Sequence, residues 1–358
     1  MVQVREEYSF NADGSVNFEQ WLNRLESYVT LDRHDVIRQA CELSWHVEQQ
    51  AIAARNTWSP GVSSYRTGLE MAEILAQLHL DSEAIIVSVL YRPVRESRLE
   101  LDAVREEFGD AIATLLEGVL RMAAINETDT SKTRVLGQNQ DQVENVRKML
   151  LAMVDDVRVA LIKLAERTCA IRAVKTAGDE KRRRVAREVF DIYAPLAHRL
   201  GIGQLKWELE DLSFRYLQPE NYKGIASLID ERRVDRERYI TEVTDALRRH
   251  FNRAGIDAEI NGRAKSIYSI WRKMQRKQLD FNQIYDIRAV RVLVPEIRDC
   301  YAALGIVHNL WRVIPNEFDD YIANPKENGY QSLHTAVIGP EQKVFEIQIR
   351  TFAMDDDA

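Results

Sequence analysis

The stretch NGRAKSIYSIWRKMQRK, residues 261–277, decides how the C-terminal part of this 358-residue chain is read. Six basic side chains, Arg263, Lys265, Arg272, Lys273, Arg276 and Lys277, stand in it without an acid, in a chain whose net charge is −7. So concentrated a positive segment calls for a counter-anion. At helical spacing Ile267, Ile270, Trp271 and Met274 form an apolar stripe, while Lys265, Ser269 and Lys273 recur every fourth residue along another face. A helix is expected over Ser266–Lys277, with that second face a ladder for phosphates. Taken alone, a basic helix is as often a solvated face or a weak nucleic-acid patch.

Two flanking segments change the weight of that helix. YDIRAVRVLV (residues 285–294) reads as a strand with Asp286 at its mouth, and VFEIQIR (residues 344–350) alternates strictly. Alternation buries Phe345, Ile347 and Ile349 and groups Glu346, Gln348 and Arg350 on the opposite face. Gln348 and Arg350 read as capping the solvent side of that strand, so Arg350 is assigned no catalytic or binding role. Strands over Ala258–Asn261, Arg288–Val294, Leu333–Ile338 and Val344–Ile349, with helices over Ser266–Lys277 and Ile297–Trp311, make an α+β domain on a mixed sheet. Asp286 and Glu346 on adjoining strands beside a basic helix suggest a Mg²⁺-nucleotide site, because Mg²⁺ takes one or two carboxylates and completes its octahedron with phosphates and water. Between the strands, NEFDDYIANPKENGYQSLHT (residues 316–335) reads as a polar loop that offers Tyr330 for a base to stack on and His334 as an imidazole. Asp286 and Arg291 are five apart, so ideal alternation puts them on opposite faces and a bulge or a late strand start is required.

Upstream the pattern is helical. Positions such as Met71, Ile74, Leu75 and Leu78 repeat at i, i+3, i+4, i+7, which predicts an all-α region over residues 1–195. Residues 196–254, punctuated by Gly201, Gly203 and Pro219 and rich in alternating charge, read as a helical connector, and residues 255–358 as the α+β domain. With 45% apolar and 29% charged residues, the chain has material for at least two cores. No apolar run approaches the roughly 20 residues needed to span a bilayer, so a cytoplasmic protein without membrane contact is expected. Cys41, Cys169 and Cys300 lie far apart without paired spacing, which argues against a disulfide framework or a zinc site. The acidic balance, pI near 5.7, argues against general nucleic-acid binding.

RAKSIYSIWRKM, YDIRAVR, NPKENGYQSLHT and EIQIRT, together with DIYAPLAHRLGIGQLKWELED (residues 191–211), resemble the long RelA/SpoT homologues, whose synthetase domain makes the alarmone (p)ppGpp. The resemblance implies a nucleotidyltransferase-like synthetase domain at 255–358 that moves the β,γ-pyrophosphoryl group of ATP to the 3′-hydroxyl of GDP or GTP and releases AMP. By motif position Arg263 and Arg291 would sandwich adenine, and Lys265, Ser269 and Lys273 would hold the ATP phosphates. Asp286 and Glu346 would bind Mg²⁺, Glu346 also serving to orient or deprotonate the attacking hydroxyl. Tyr330 would stack on guanine, with Lys326, Asn328 and His334 contacting the acceptor nucleotide. In the family the chain continues into regulatory domains that engage the ribosome with uncharged tRNA, a region absent from this sequence.

The same resemblance makes residues 1–195 an HD-type hydrolase domain, yet its metal ligands are not where the family has them. Thr67 stands at the position of the first histidine, Tyr91 and Arg92 at the His-Asp pair, Arg95 at a following acid and Glu166 at a later aspartate. Arg92 and Arg95 would repel a divalent cation, so the expectation is a degenerate, inactive hydrolase. The acidic Glu317-Phe318-Asp319-Asp320 resembles the RelA-type, synthetase-only branch and implies a loop that recruits Mg²⁺ and favours GDP. Two other readings are weaker. A silent nucleotide sensor does not need both Asp286 and Glu346, and a bifunctional synthetase-hydrolase needs the missing ligands.

Overall fold

The computed structural model describes residues 9–55, 62–132, 156–231, 233–263, 266–278 and 289–356, and within these the side chains of all but 125–132, 230, 231, 233–237, 263 and 277. The chain divides into two compact units, one up to Val185 and one from Ala186 onward.

The first unit is helical: α1 (Phe18–Glu26), α2 (His34–Ala53), α3 (Ser64–Gln77), α4 (Ser82–Arg95), α5 (Leu101–Phe108), α6 (Asp110–Lys132) and α7 (Val157–Ala173), with α8 (Asp179–Glu188) at the division. Side-chain caps start several of these. Asn17, Ser63, Asp81 and Asp156 each accept a hydrogen bond from a first-turn amide, satisfying donors that the helix itself leaves orphaned. α4 carries Ile85, Ile86, Val87, Val89, Leu90 and Tyr91, all fully buried. A helix apolar around its circumference belongs at the centre, and α4 packs against α2, α3 and α6. Gly68 permits a close approach of α3 to α4, since a Cβ there would lie 3.0 Å from the Val89 Cα. Met71, Ile74 and Leu75 are buried as their spacing predicts.

The second unit begins with a π-helical turn, Val189–Tyr193, and continues through α9 (Ala194–Arg199), α10 (Gly203–Leu217), α11 (Pro219–Glu231) and α12 (Arg233–Ala254). β1 (Glu259–Arg263), α13 (Ile267–Lys277), β2 (Ala289–Val294), α14 (Ile297–Leu310), β3 (Arg312–Asp320), β4 (Leu333–Ile338), β5 (Val344–Thr351) and α15 (Phe352–Asp356) follow. The sheet order is β1-β2-β5-β4-β3, with β2 and β5 parallel and the other pairs antiparallel. One face is apolar: Val290, Val292, Ile347, Ile349 and Val337 pack with Tyr239, Val243, Leu247 and Phe251 of α12 and with Cys300, Ala303 and Val307 of α14. The basic helix α13 seats its stripe on the upstream helices. Ile270 packs against Ile225 with Ile267, Trp271 and Met274 around them, and the Trp271 and Phe214 rings lie 5.0 Å apart.

The expected α+β unit on a mixed sheet and the expected helical first part are both present. β4 coincides with its predicted span, and β1, β2, β5, α13 and α14 differ only at their ends. β3 is the correction, because the acidic Glu317–Asp320 segment read as loop is part of an edge strand. Pro315 and the left-handed Asn316 (φ 64°) break its alternation, and its register against β4 shifts between Val313 and Phe318. An edge strand tolerates both, since its outer side has no partner to lose. All three cysteines are free and buried.

Candidate active site

The polar face of the sheet is built by register. Asn261 pairs with Arg291, Arg291 with Gln348, Gln348 with His334, and His334 with Asp319, so one row of polar residues crosses all five strands on the side away from α12 and α14. Glu346, two positions before Gln348, shares that side. Its cross-strand neighbours are Ala289 and Ala336, the smallest side chains able to keep the sheet while leaving space around a carboxylate.

Glu346 Oε1 accepts a hydrogen bond from Gln348 Nε2 at 2.5 Å and lies 3.5 Å from His334 Nδ1. His334 Nε2 is 2.9 Å from the Tyr330 hydroxyl. A tyrosine hydroxyl donating to Nε2 leaves the imidazole proton on Nδ1, facing Glu346, so the three side chains form one oriented line. Tyr330 is delivered by a tight turn: Gly329 N donates to Lys326 O at 2.8 Å and Lys326 N to Tyr330 O at 3.2 Å. Gly329 sits at φ +78°, a conformation in which a side chain would be strained. Lys326 Nζ lies 4.2 Å over the Tyr321 ring and 5.2 Å from that of Tyr330, while Arg350 Cζ is 5.7 Å from the Tyr330 ring. Tyr321 stands edge-on to His334 at 5.3 Å. Burial, helped by a hydrogen bond to Asp319, raises the Tyr321 hydroxyl pKa and keeps it protonated.

Several expected residues meet here and others do not. Glu346, His334, Tyr330 and Lys326 form one contact group, with Arg291 in the row beside Gln348. Asn328 belongs to the turn, its side-chain Oδ1 accepting from Tyr330 N at 3.4 Å and its Nδ2 donating to the His198 backbone carbonyl at 3.2 Å. Ser269 and Lys273 stand one turn apart on α13, both half-buried. Lys265, Asp286 and the Arg263 side chain lie outside the described residues; of Arg263 only the backbone is placed, opposite Ala289. Gln348 and Arg350 correct their expected place at the solvent surface, being 2% and 4% exposed. Asp320 is on the other side of the sheet, where its carboxylate accepts from Ile322 N, Ala323 N and the Tyr301 hydroxyl.

Asp211 of α10 had no local signature. It caps α13 from outside, accepting from Ser266 Oγ at 2.9 Å, Tyr268 N at 2.8 Å and Ile267 N at 3.1 Å. Burial raises its pKa, and those three bonds oppose the rise. Asp211→Ala is expected to cost about 1 to 2 kcal/mol and to loosen the first turn of α13, with Asp211→Asn costing less because one acceptor remains. Hydrogen exchange of the α13 amides checks this; unchanged protection in the alanine variant would show the cap to be dispensable.

In the helical unit the positions of the expected hydrolase ligands hold an ion-pair cluster. Glu166 is bonded by Arg167 at 2.6 Å, Lys163 at 2.8 Å and Arg95 at 3.3 Å, and Lys163 Nζ also reaches the Tyr91 hydroxyl at 3.4 Å. Burial alone would raise the Glu166 pKa, but Arg167, Lys163 and Arg95 hold it well below the usual carboxylate range. Burial pushes Lys163 down to about 8. Thr67 donates to the Ser63 carbonyl and Arg92 pairs with Glu96. Among the described residues no group of three or more His, Cys, Asp or Glu side chains is arranged to hold a metal. No helix among them is long and apolar enough to cross a membrane.

Fold and site define a chain with a helical part followed by a mixed-sheet domain whose polar face carries a carboxylate, an imidazole and stacking groups. Residues 40–203 match the HD domain model and residues 262–358 match the region found in RelA/SpoT proteins. A GTP pyrophosphokinase of Photobacterium angustum is 48% identical over 325 residues, covering 90% of this chain and 43% of that protein. One from Escherichia coli K12 is 52% identical over 291 residues, covering 81% and 39%. The chain belongs to the RelA/SpoT family, and it spans about two fifths of the length of these curated relatives. The small alarmone synthetase 1 of Bacillus subtilis, solved with its product pppGpp, is 26% identical over 34% of this chain and 72% of its own, at a TM-score of 0.30.

Proposed function

We propose that the chain is a RelA-type GTP pyrophosphokinase, transferring the β,γ-pyrophosphoryl group of ATP to the 3′-hydroxyl of GDP or GTP and releasing AMP. The observation that carries this reading is the setting of Glu346: a carboxylate between two alanines, in line with His334 and Tyr330, on a face that also presents Arg291 and Lys326. Such a transfer depends on positioning and charge neutralisation more than on covalent chemistry.

In this reading the acceptor base stacks on Tyr330 with Lys326 and His334 at its phosphate and sugar, while Arg291 and Arg263 stack on adenine. Glu346 orients the 3′-hydroxyl and takes its proton, and His334 Nδ1–H holds the carboxylate in place. Lys265, Ser269 and Lys273 contact the ATP phosphates. Glu346, a hard oxygen donor flanked by the small Ala289 and Ala336, would hold Mg²⁺, with Asp286 its proposed partner ligand. Mg²⁺ would supply charge neutralisation on the transferred group. The division into a degenerate hydrolase domain (1–195), a connector (196–254) and a synthetase domain (255–358) is part of the same proposal, as are a cytoplasmic setting and ribosome engagement through regions of the relatives beyond this sequence.

The test is incubation with γ-labelled ATP, GDP and Mg²⁺, with products separated by charge. Labelled ppGpp is the expected product, and its absence would overturn the assignment for this chain. In the same preparation, ppGpp labelled at the 3′ position should release no pyrophosphate in Mn²⁺; the pairing of Glu166, which the resemblance puts at a metal-binding acid, with Arg95, Lys163 and Arg167 supports this expectation. Chelator-sensitive release would show an active hydrolase.

A further inference from the structure

Arg291 of β2 and Arg350 of β5 both converge on one carboxylate, that of Asp355 in α15. Arg291 Nη1 lies 3.0 Å from Asp355 Oδ1 and 3.3 Å from Oδ2, and Arg350 pairs with the same Oδ1. The two arginines come from neighbouring parallel strands, with Arg350 opposite Leu293, two residues beyond Arg291. Guanidinium groups so directed repel unless an anion lies between them.

The arrangement has a buried end and a more exposed end. The Arg350 side chain is 5% exposed and packs over the Tyr330 ring; the Arg291 side chain is 25% exposed. Asp355 is itself held firmly, because Met354 is buried in the sheet core and its N–H donates to Thr351 Oγ1 at 3.1 Å. A stacked guanidinium uses its face and leaves its in-plane N–H groups for an edge partner, so a carboxylate at the edge restrains the plane without covering it.

We propose that Asp355 is a positioning residue for the donor nucleotide: anchored by Arg350, it holds the Arg291 guanidinium in the plane that stacks on the adenine of ATP. This rests on the reading of Arg291 as an adenine contact. Without Asp355 that arginine samples other rotamers and must be immobilised each time ATP binds. Arg350, being buried against Tyr330, keeps its place, so the acceptor side is spared.

The experiment measures binding of α,β-methylene-ATP with Mg²⁺, and separately of GDP, to the whole chain by calorimetry, with melting curves to confirm folding. Asp355→Asn is expected to weaken the ATP analogue about two- to tenfold, the cost of immobilising one side chain, and to leave GDP affinity unchanged. Asp355→Glu, which keeps the ion pair, should stay within about twofold of the parent. The double variant Arg291→Ala/Asp355→Asn should bind the analogue no more weakly than Arg291→Ala alone. Unchanged or tighter analogue binding by Asp355→Asn while Arg291→Ala weakens it would overturn the proposal, as would equal losses for both nucleotides or a Glu variant as weak as the Asn variant. If Arg291→Ala has no effect, it is the adenine assignment that fails, and the role of Asp355 falls with it.

Discussion

Glu346→Gln is expected to lower pyrophosphoryl transfer by about 10² to 10³, roughly 3 to 4 kcal/mol, the range found when one charge-stabilising group is removed from an active site. Glutamine has the same shape and can still accept from Gln348 Nε2, so the sheet register and the stacking ring should persist. What disappears is the negative charge, and with it the proposed proton acceptor and the charge that would attract Mg²⁺. Initial rates with saturating ATP and GDP, set beside a melting curve, separate lost chemistry from lost structure. Turnover near that of the parent would remove Glu346 from the centre of the site.

A second large effect belongs to the helical unit and concerns stability. Glu166→Gln leaves Lys163, whose side chain is 2% exposed, without its counter-ion and removes the shared partner of Arg95 and Arg167. Breaking one partner out of a buried ion pair typically costs about 3 to 5 kcal/mol, whereas replacing both members by apolar residues of similar volume is often close to neutral. Glu166→Met combined with Lys163→Met should therefore recover much of what Glu166→Gln loses. Hydrogen exchange in α4 and α7 reports on this unit alone, and unchanged protection in Glu166→Gln would mean the cluster contributes little. The pH dependence has a definite sign. Lys163 titrates near 8 in the folded chain against an ordinary 10.5, so the folded state holds fewer protons across that window. Its contribution to stability thus rises with pH between those values; because Glu166 holds the Lys163 pKa up, Glu166→Gln should lower it further, so the loss relative to the parent should shrink as the pH rises toward 8 and stay constant above it.

On the proposed reading of a degenerate hydrolase, restoring a single ligand is not expected to restore hydrolysis. Arg92→Asp would add one carboxylate, but Thr67 and Tyr91 would still stand in place of imidazoles, and three cations would still converge on Glu166.

What the residues determined alone follows from local periodicity. Strict alternation in Leu333–Ile338 and Val344–Arg350 placed β4 and β5 and put Glu346 on the face opposite Phe345, Ile347 and Ile349. The stripe Ile267, Ile270, Trp271, Met274 placed α13 and its buried side, and the family motifs supplied the chemistry to expect. Local pattern went wrong where a local rule was broken for a tertiary reason: Pro315 and the left-handed Asn316 hide β3, which pairs only because β4 lies beside it. It also misjudged Gln348 and Arg350, since a polar residue at an outward position looks solvated until other side chains are seen to cover it. Asp355 reaches Arg291 across 64 residues and Asp211 reaches Ser266 across 55. Contacts at that separation are made by strand order and helix packing, so no spacing rule along the chain carries them, and only the folded unit decides that one acid should hold an arginine and another the first turn of a helix.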